Sequence, residues 1–219
     1  MSIKVNPLPY SFDALEPYIS KKSLELHYSK YYKAYTKKIN DLIKGTSFEG
    51  LELEEIILKS ASIESDMFNN AAQSWNHDFY FRGLIPHVRQ DVPLTVLNRI
   101  NEGFGSVEEL KKEFLQKSMN LFGSGWIWLV EKMDGSLSIH ATSSADNPLL
   151  HNEVPLLACD LWEHAYFLDF YNERMNYLSS FWQIINWNFV EDNLLKSPPF
   201  RPNAGDKFMD GGTSSDYLA

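Results

Sequence analysis

Apolar positions recur at helical spacing through the first part of the chain. Leu24, Tyr28, Tyr31, Tyr35, Ile39 and Leu42 fall three or four residues apart, the period of one helix face. Ser20 or Ser23 can cap such a helix, because a short hydroxyl accepts from the orphan amides of a first turn. Gly45 can end it. The pattern predicts a long helix from Ser20 or Ser23 to about Lys44, after a proline-marked entry (Pro7, Pro9, Pro17) with a short helical turn at 13–15. Residues 53–62 predict a short helix and 64–84 a second main one, which pairs with the first as an antiparallel hairpin.

Two prolines and mixed charges over 83–93 mark a connector. Amphipathic helices follow over 93–103 and 106–120, the second opened by Ser106 with Glu109 at capping-box spacing. Apolar runs at 125–132, 136–142 and 154–161 then predict three strands, with Asp134 and Gly135 as a tight turn. Helices over 163–178 and 180–195 close the pattern. Residues 197–219 are rich in Pro, Gly, Ser, Thr and Asp, without periodicity, and read as an irregular tail. The expected fold is α+β: an N-terminal helical hairpin over 1–88, and a C-terminal α/β domain over 89–196. The second domain holds a small, about three-stranded antiparallel sheet flanked by helices.

The 219 residues are 44% hydrophobic and 14% aromatic, enough for a sizeable core and too apolar for disorder over most of the length. A formal net charge of −9 leaves no footprint for nucleic acid. Cys159 is alone, which excludes an internal disulfide and a Cys-rich zinc site and allows a reducing compartment. The N-terminus has no apolar run of signal-peptide length, and Ser, Asn and Gln interrupt the aromatic run over 175–190, so no membrane partner is expected. A cytoplasmic protein is expected, or an organellar one after removal of a transit peptide.

Candidate chemistry concentrates in 157–166. Asp160 and His164 stand four residues apart, and in a helix that spacing stacks two side chains on one face. An Asp balancing a helix dipole and a core His bonded to a carbonyl would account for the pair without any ligand. A second polar stripe shifts the balance. Asn69, Gln73 and His77 share a helical face among Ala72, Trp75 and Phe79, and polar groups facing a core are costly unless paired or ligated. An exposed polar face is the competing reading of that stripe. His27 lies at the edge of the first helix face. His27, His77, Asp160 and His164 together make a three-imidazole, one-carboxylate set, which suits redox-active iron or manganese and a small ligand. No zinc-protease, ferritin-like, nucleotide-binding or hydrolase-elbow motif occurs. A mononuclear iron oxygenase needs two His and one carboxylate, and the extra His weighs against it.

Five blocks in order carry a resemblance. Leu8-Pro-Tyr10, Asp13-Ala-Leu-Glu-Pro17, Phe68-Asn-Asn-Ala-Ala-Gln-Ser-Trp-Asn-His77, Phe122-Gly-Ser-Gly-Trp-Ile-Trp-Leu129 and Asp160-Leu-Trp-Glu-His-Ala-Tyr166 resemble the iron/manganese superoxide dismutase family over residues 7–195. The resemblance implies conversion of superoxide to dioxygen and hydrogen peroxide by redox cycling of a single iron, with manganese as an alternative. It implies His27, His77, Asp160 and His164 as metal ligands. Tyr35 matches the channel Tyr, Gln73 the Gln bonded to the metal's solvent, and Arg174 the channel Arg. Trp126 and Trp75 match pocket walls. Glu163 matches the residue that bonds a ligand His across a homodimer, here His164, with Phe68 and Ser124 near that interface. Gln73 on the helix, with Ala145 at the matching loop position, makes the pattern iron-type. Tyr31, Phe167 and Met175 depart from it, and Tyr31 with Phe167 cannot form the family's His–Tyr pair at the channel mouth. A non-catalytic, metal-binding interaction subunit is the alternative reading.

Overall fold

A computed structural model describes residues 2–63, 65–87 and 90–196. The expected domain boundary at 88/89 and the expected tail at 197–219 lie outside the described residues. Ser20 starts the first helix: its Oγ accepts from the Ser23 N–H at 3.1 Å. Its own N–H and hydroxyl donate to Asp169 at 2.8 and 2.6 Å. The expected helical turn at 13–15 is instead a series of tight turns.

The first long helix is not uniform. It runs as α1 (Lys21–Leu26), a π-helical segment (His27–Tyr32) and α2 (Lys33–Ile43). Its buried face is Leu24, Tyr28, Tyr32, Thr36, Ile39 and Ile43, while Tyr31, Tyr35 and Leu42 are half-buried. The expected face is therefore right at Leu24, Tyr28 and Ile39 and one residue out at Tyr31, Tyr35 and Leu42. An α-helix turns about 100° per residue, so positions four apart drift by about 40° per step. The wider π turns absorb that drift and keep the four-residue repeat on one side.

Helices α3 (Leu53–Ser60) and α4 (Ser65–Arg82) complete the hairpin. Small residues let α4 approach α2 closely, and Thr36 Oγ1 lies 2.7 Å from Ser74 Oγ. α5 (Leu94–Phe104) and α6 (Val107–Asn120) follow, with Ser106 Oγ accepting from the Glu109 N–H at 3.1 Å. Strands β1 (Gly125–Glu131), β2 (Leu137–Ser143) and β3 (Val154–Asp160) form an antiparallel sheet ordered β2-β1-β3. The central strand is buried from Gly125 to Val130, which is why it reads as a continuous apolar run. A side chain at Gly125 would put Cβ 2.1 Å from the Thr142 carbonyl, so only glycine admits β2 there.

The last part holds three helices where two were expected: α7 (Glu163–Phe170), α8 (Arg174–Phe181) and α9 (Trp187–Leu195). Tyr171 has φ of 49° and ψ of −126°, a positive-φ backbone that cannot continue the helix and so stops α7. The second break, before α9, docks on the connector: Ile85 donates to the Ile184 carbonyl and Asn186 to that of Gly83, each at 2.9 Å. Among the described residues no helix is long and apolar enough to cross a membrane.

Candidate metal centre

Four ligand-type side chains meet where the hairpin lies against the sheet. His27 opens the π-helical segment and His77 sits in α4. Asp160 is the last residue of β3, and His164 the second residue of α7. The expectation that Asp160 and His164 share one helix face is therefore corrected: a strand end, a short turn and a helix start bring them together. His27, His77 and His164 present Nε2 to Asp160 Oδ2 at 3.0, 3.7 and 3.1 Å. His77 Nε2 and His164 Nε2 are 3.2 Å apart. One atom from each of the four residues lies within 4.8 Å of all the others.

Local bonds aim these atoms. His77 Nδ1 is 2.7 Å from the Gln73 carbonyl; a carbonyl only accepts, so Nδ1 carries the hydrogen and Nε2 keeps its lone pair. Asp160 Oδ1 accepts from the Trp162 N–H at 2.8 Å, leaving Oδ2 to the imidazoles. Burial pushes His27 and His77 below the ordinary histidine range, and His77 is lowered further by the neighbouring His27. Burial alone would raise Asp160, but His164 and His27 outweigh it and hold the carboxyl below the usual range. Three imidazoles around an ionised carboxylate form a donor set for a borderline or harder metal.

The surroundings fit such an ion. Gln73 Oε1 accepts from Trp126 Nε1 at 3.2 Å, and the buried Gln73 Nε2 has no partner among the described residues. A buried amide donor left free is costly, and a small ligand or solvent at the centre would satisfy it. Register puts Trp126 opposite Asp160, with its ring edge-on to His77 at 5.1 Å.

The remaining expected residues divide. Tyr35 lies beside His77, ring centroids 5.2 Å apart; burial, then Asp160 and Tyr31, push its hydroxyl up to about 12. Of the polar stripe, Gln73 and His77 are buried and Asn69 is exposed. Trp75 is not part of the wall: it stacks on Phe79 and donates to Glu54 at 2.9 Å. Arg174 bonds Tyr166 and the carbonyls of Leu121 and Gly123, and among the described residues none of its hydrogen bonds reaches the four ligand-type residues. Glu163 is exposed, with no hydrogen bond or ion pair among the described residues. Ala145 lies in the β2–β3 loop, its carbonyl accepting from Asn76 at 3.1 Å. Pattern reading missed the clamp on His164: Tyr31 stacks on its ring at 4.1 Å and Trp162 lies near-parallel to it at 5.6 Å. Trp162 stood between two ligand candidates in the chain, but periodicity says nothing of ring stacking.

A helical hairpin joined to a small antiparallel sheet, with three imidazoles and one carboxylate converging between them, defines a mononuclear-metal protein. Residues 2–85 match the alpha-hairpin domain of the iron/manganese superoxide dismutases, and residues 93–193 match their C-terminal domain. The chain belongs to the iron/manganese superoxide dismutase family. It is 47% identical to the superoxide dismutase [Fe] of Salmonella typhimurium and to that of Escherichia coli, over 194 residues covering 89% of this chain and 99% of each relative. It is 45% identical to the superoxide dismutase [Fe] of Coxiella burnetii, with the same coverage.

Proposed function

We propose that this protein is an iron-dependent superoxide dismutase, with one iron per chain held by His27, His77, Asp160 and His164. The observation that carries the reading is their buried convergence beside the unpartnered Gln73 amide, in a chain of this family. Bound iron supplies one-electron redox chemistry, by which one superoxide is oxidised to dioxygen and another reduced to hydrogen peroxide. The second half-reaction consumes two protons, and the chain's own groups govern their delivery. Tyr35 keeps its hydroxyl proton up to about pH 12 and so stays a donor over the physiological range. Gln73 Nε2 is a fixed donor, tethered through its oxygen to Trp126. Superoxide is an anion and the chain carries −9, so attraction must be local, and Lys30 and Arg174 are the cations assigned to it. Gln73 on α4 matches the iron-type pattern, as do relatives named superoxide dismutase [Fe], and its hydrogen bond would tune the potential of the bound metal.

The working form is proposed as a homodimer in the cytoplasm. Phe122 is 99% exposed and Tyr171 66%, apolar area that an interface would cover. In this reading, unpartnered Glu163 bonds His164 of the second copy. Elemental analysis joined to an activity assay, after separate loading with iron and manganese, tests the function. Superoxide consumption well above free metal by the iron form is expected. A metal-loaded protein without it would favour the non-catalytic subunit.

A further inference from the structure

We propose that His140 and His151 form a second, surface site for a borderline divalent cation of the zinc class, oriented by Glu153 and Asp146. His140 lies on the edge strand β2, and His151 ends the 3-10 turn Pro148–His151 in the loop to β3. Their ring centroids are 4.9 Å apart. The three imidazole pairs of the candidate metal centre are separated by 5.0, 5.0 and 5.4 Å, so this pair has the spacing of rings that share an ion.

The carboxylates fix which nitrogens are free. His140 Nδ1 is 2.5 Å from Glu153 Oε2, and His151 Nε2 is 3.0 Å from Asp146 Oδ2. A carboxylate accepts, so those nitrogens carry hydrogen, and in a neutral ring the lone pair then sits on His140 Nε2 and His151 Nδ1. Neither of these two atoms has a hydrogen-bond partner among the described residues. Carboxylate–imidazole–metal is the usual arrangement of a His ligand, the outer carboxylate setting its tautomer and raising its basicity. Two imidazole nitrogens without thiolates suit zinc and its neighbours, with water completing the coordination.

The side chains of His140 and His151 are 31% and 40% exposed, so an ion can reach them. The site shares no residue with the buried centre, and it joins β2 to the loop that holds Ala145 and Asn147, which both hydrogen-bond Asn76 beside His77. A bound ion would pin that loop.

Equilibrium dialysis of the iron-loaded full chain against zinc chloride, with both metals counted, tests the site. About one extra zinc per chain is expected with iron content unchanged, as is a zinc-dependent rise in melting temperature. The double variant H140Q/H151Q should lose both effects, and Glu153→Gln should bind zinc about 10–100-fold more weakly. No zinc bound by the parent protein, zinc gained only as iron is lost, or unchanged binding by the double variant would overturn the proposal. His151→Gln alone, at the more exposed position, keeps the test open if the double variant does not fold; its zinc binding should fall, and unchanged binding overturns the proposal.

Discussion

Helix α4 and strand β3 deliver ligand-type residues to one point by opposite means. His77 is held by its own helix: the Gln73 carbonyl, one turn back, takes its Nδ1 hydrogen. Asp160 has no such internal support. It is placed by strand register, opposite Trp126 on β1, and aimed by the amide of Trp162 after the strand ends. His77 is therefore aimed from within its own helix, and Asp160 from outside its own strand. Between them the polar atoms find partners mainly across the seam, as His27 and Asp160 do at 3.0 Å. A buried carboxylate is tolerable only where several donors meet it, and neither half alone supplies enough of them.

The largest test of this contrast removes the common acceptor. Asp160→Ala should cut iron from about one per chain to background and abolish the metal-dependent gain in stability, read by elemental analysis and by melting with and without iron. Retention of stoichiometric iron would mean the three imidazoles suffice. Trp126→Ala attacks the support that reaches Asp160 from outside its strand. It empties a fully buried ring position and removes the Gln73 tether, and should cost about 3–5 kcal/mol in denaturant unfolding.

Alkali probes the floor beneath β3. Tyr80 and Tyr177 hydroxyls lie 3.1 Å apart, Cys159 Sγ lies 3.6 Å from Tyr177, and burial pushes all three up. Their stabilising contribution is complete below the unfolded-state values and is lost as pH rises beyond them, because only the unfolded chain then releases protons. Stability should fall above about pH 9–10, by about 1.4 kcal/mol per pH unit for each group involved. Tyr177→Phe should flatten that slope in melts taken between pH 9 and 11.

Smaller effects test the seam and the clamp. Ser20→Ala removes both the cap of α1 and the hydroxyl bond to Asp169 on α7, at a cost of about 1–2 kcal/mol. A cost equal to that of Asp169→Asn, with no additivity in the double variant, would assign most of it to the seam. Tyr31→Ala removes the ring stacked on His164 and should weaken iron retention by about 0.5–1.5 kcal/mol, measured by chelator competition.

Much of the helical pattern in both domains is legible because its signals are local. Ser20 precedes an apolar periodicity, and Ser106 with Glu109 marks the start of α6 in the chain itself. The errors have physical causes. Tyr31 and Tyr35 were assigned to the buried face because an ideal 3.6 period was assumed, whereas the π turn at His27 slides the face to Tyr32 and Thr36. The pattern carries the 163–178 helix through Tyr171, because a positive φ at a tyrosine leaves no mark on hydrophobic pattern. Trp75 was placed at the pocket on resemblance, and its indole instead turns to Glu54.

Residue types and their order bring His27, His77, Asp160 and His164 forward as a candidate metal-binding set, and the family resemblance implies them as its ligands. Only the tertiary structure decided how they meet. Asp160 and His164 converge across a strand–helix junction, the Gln73 amino group has no partner among the described residues, and Tyr31 and Trp162 flank His164. Those facts depend on register and packing between segments far apart in the chain. Local periodicity carries no information about which face of a distant element will lie opposite.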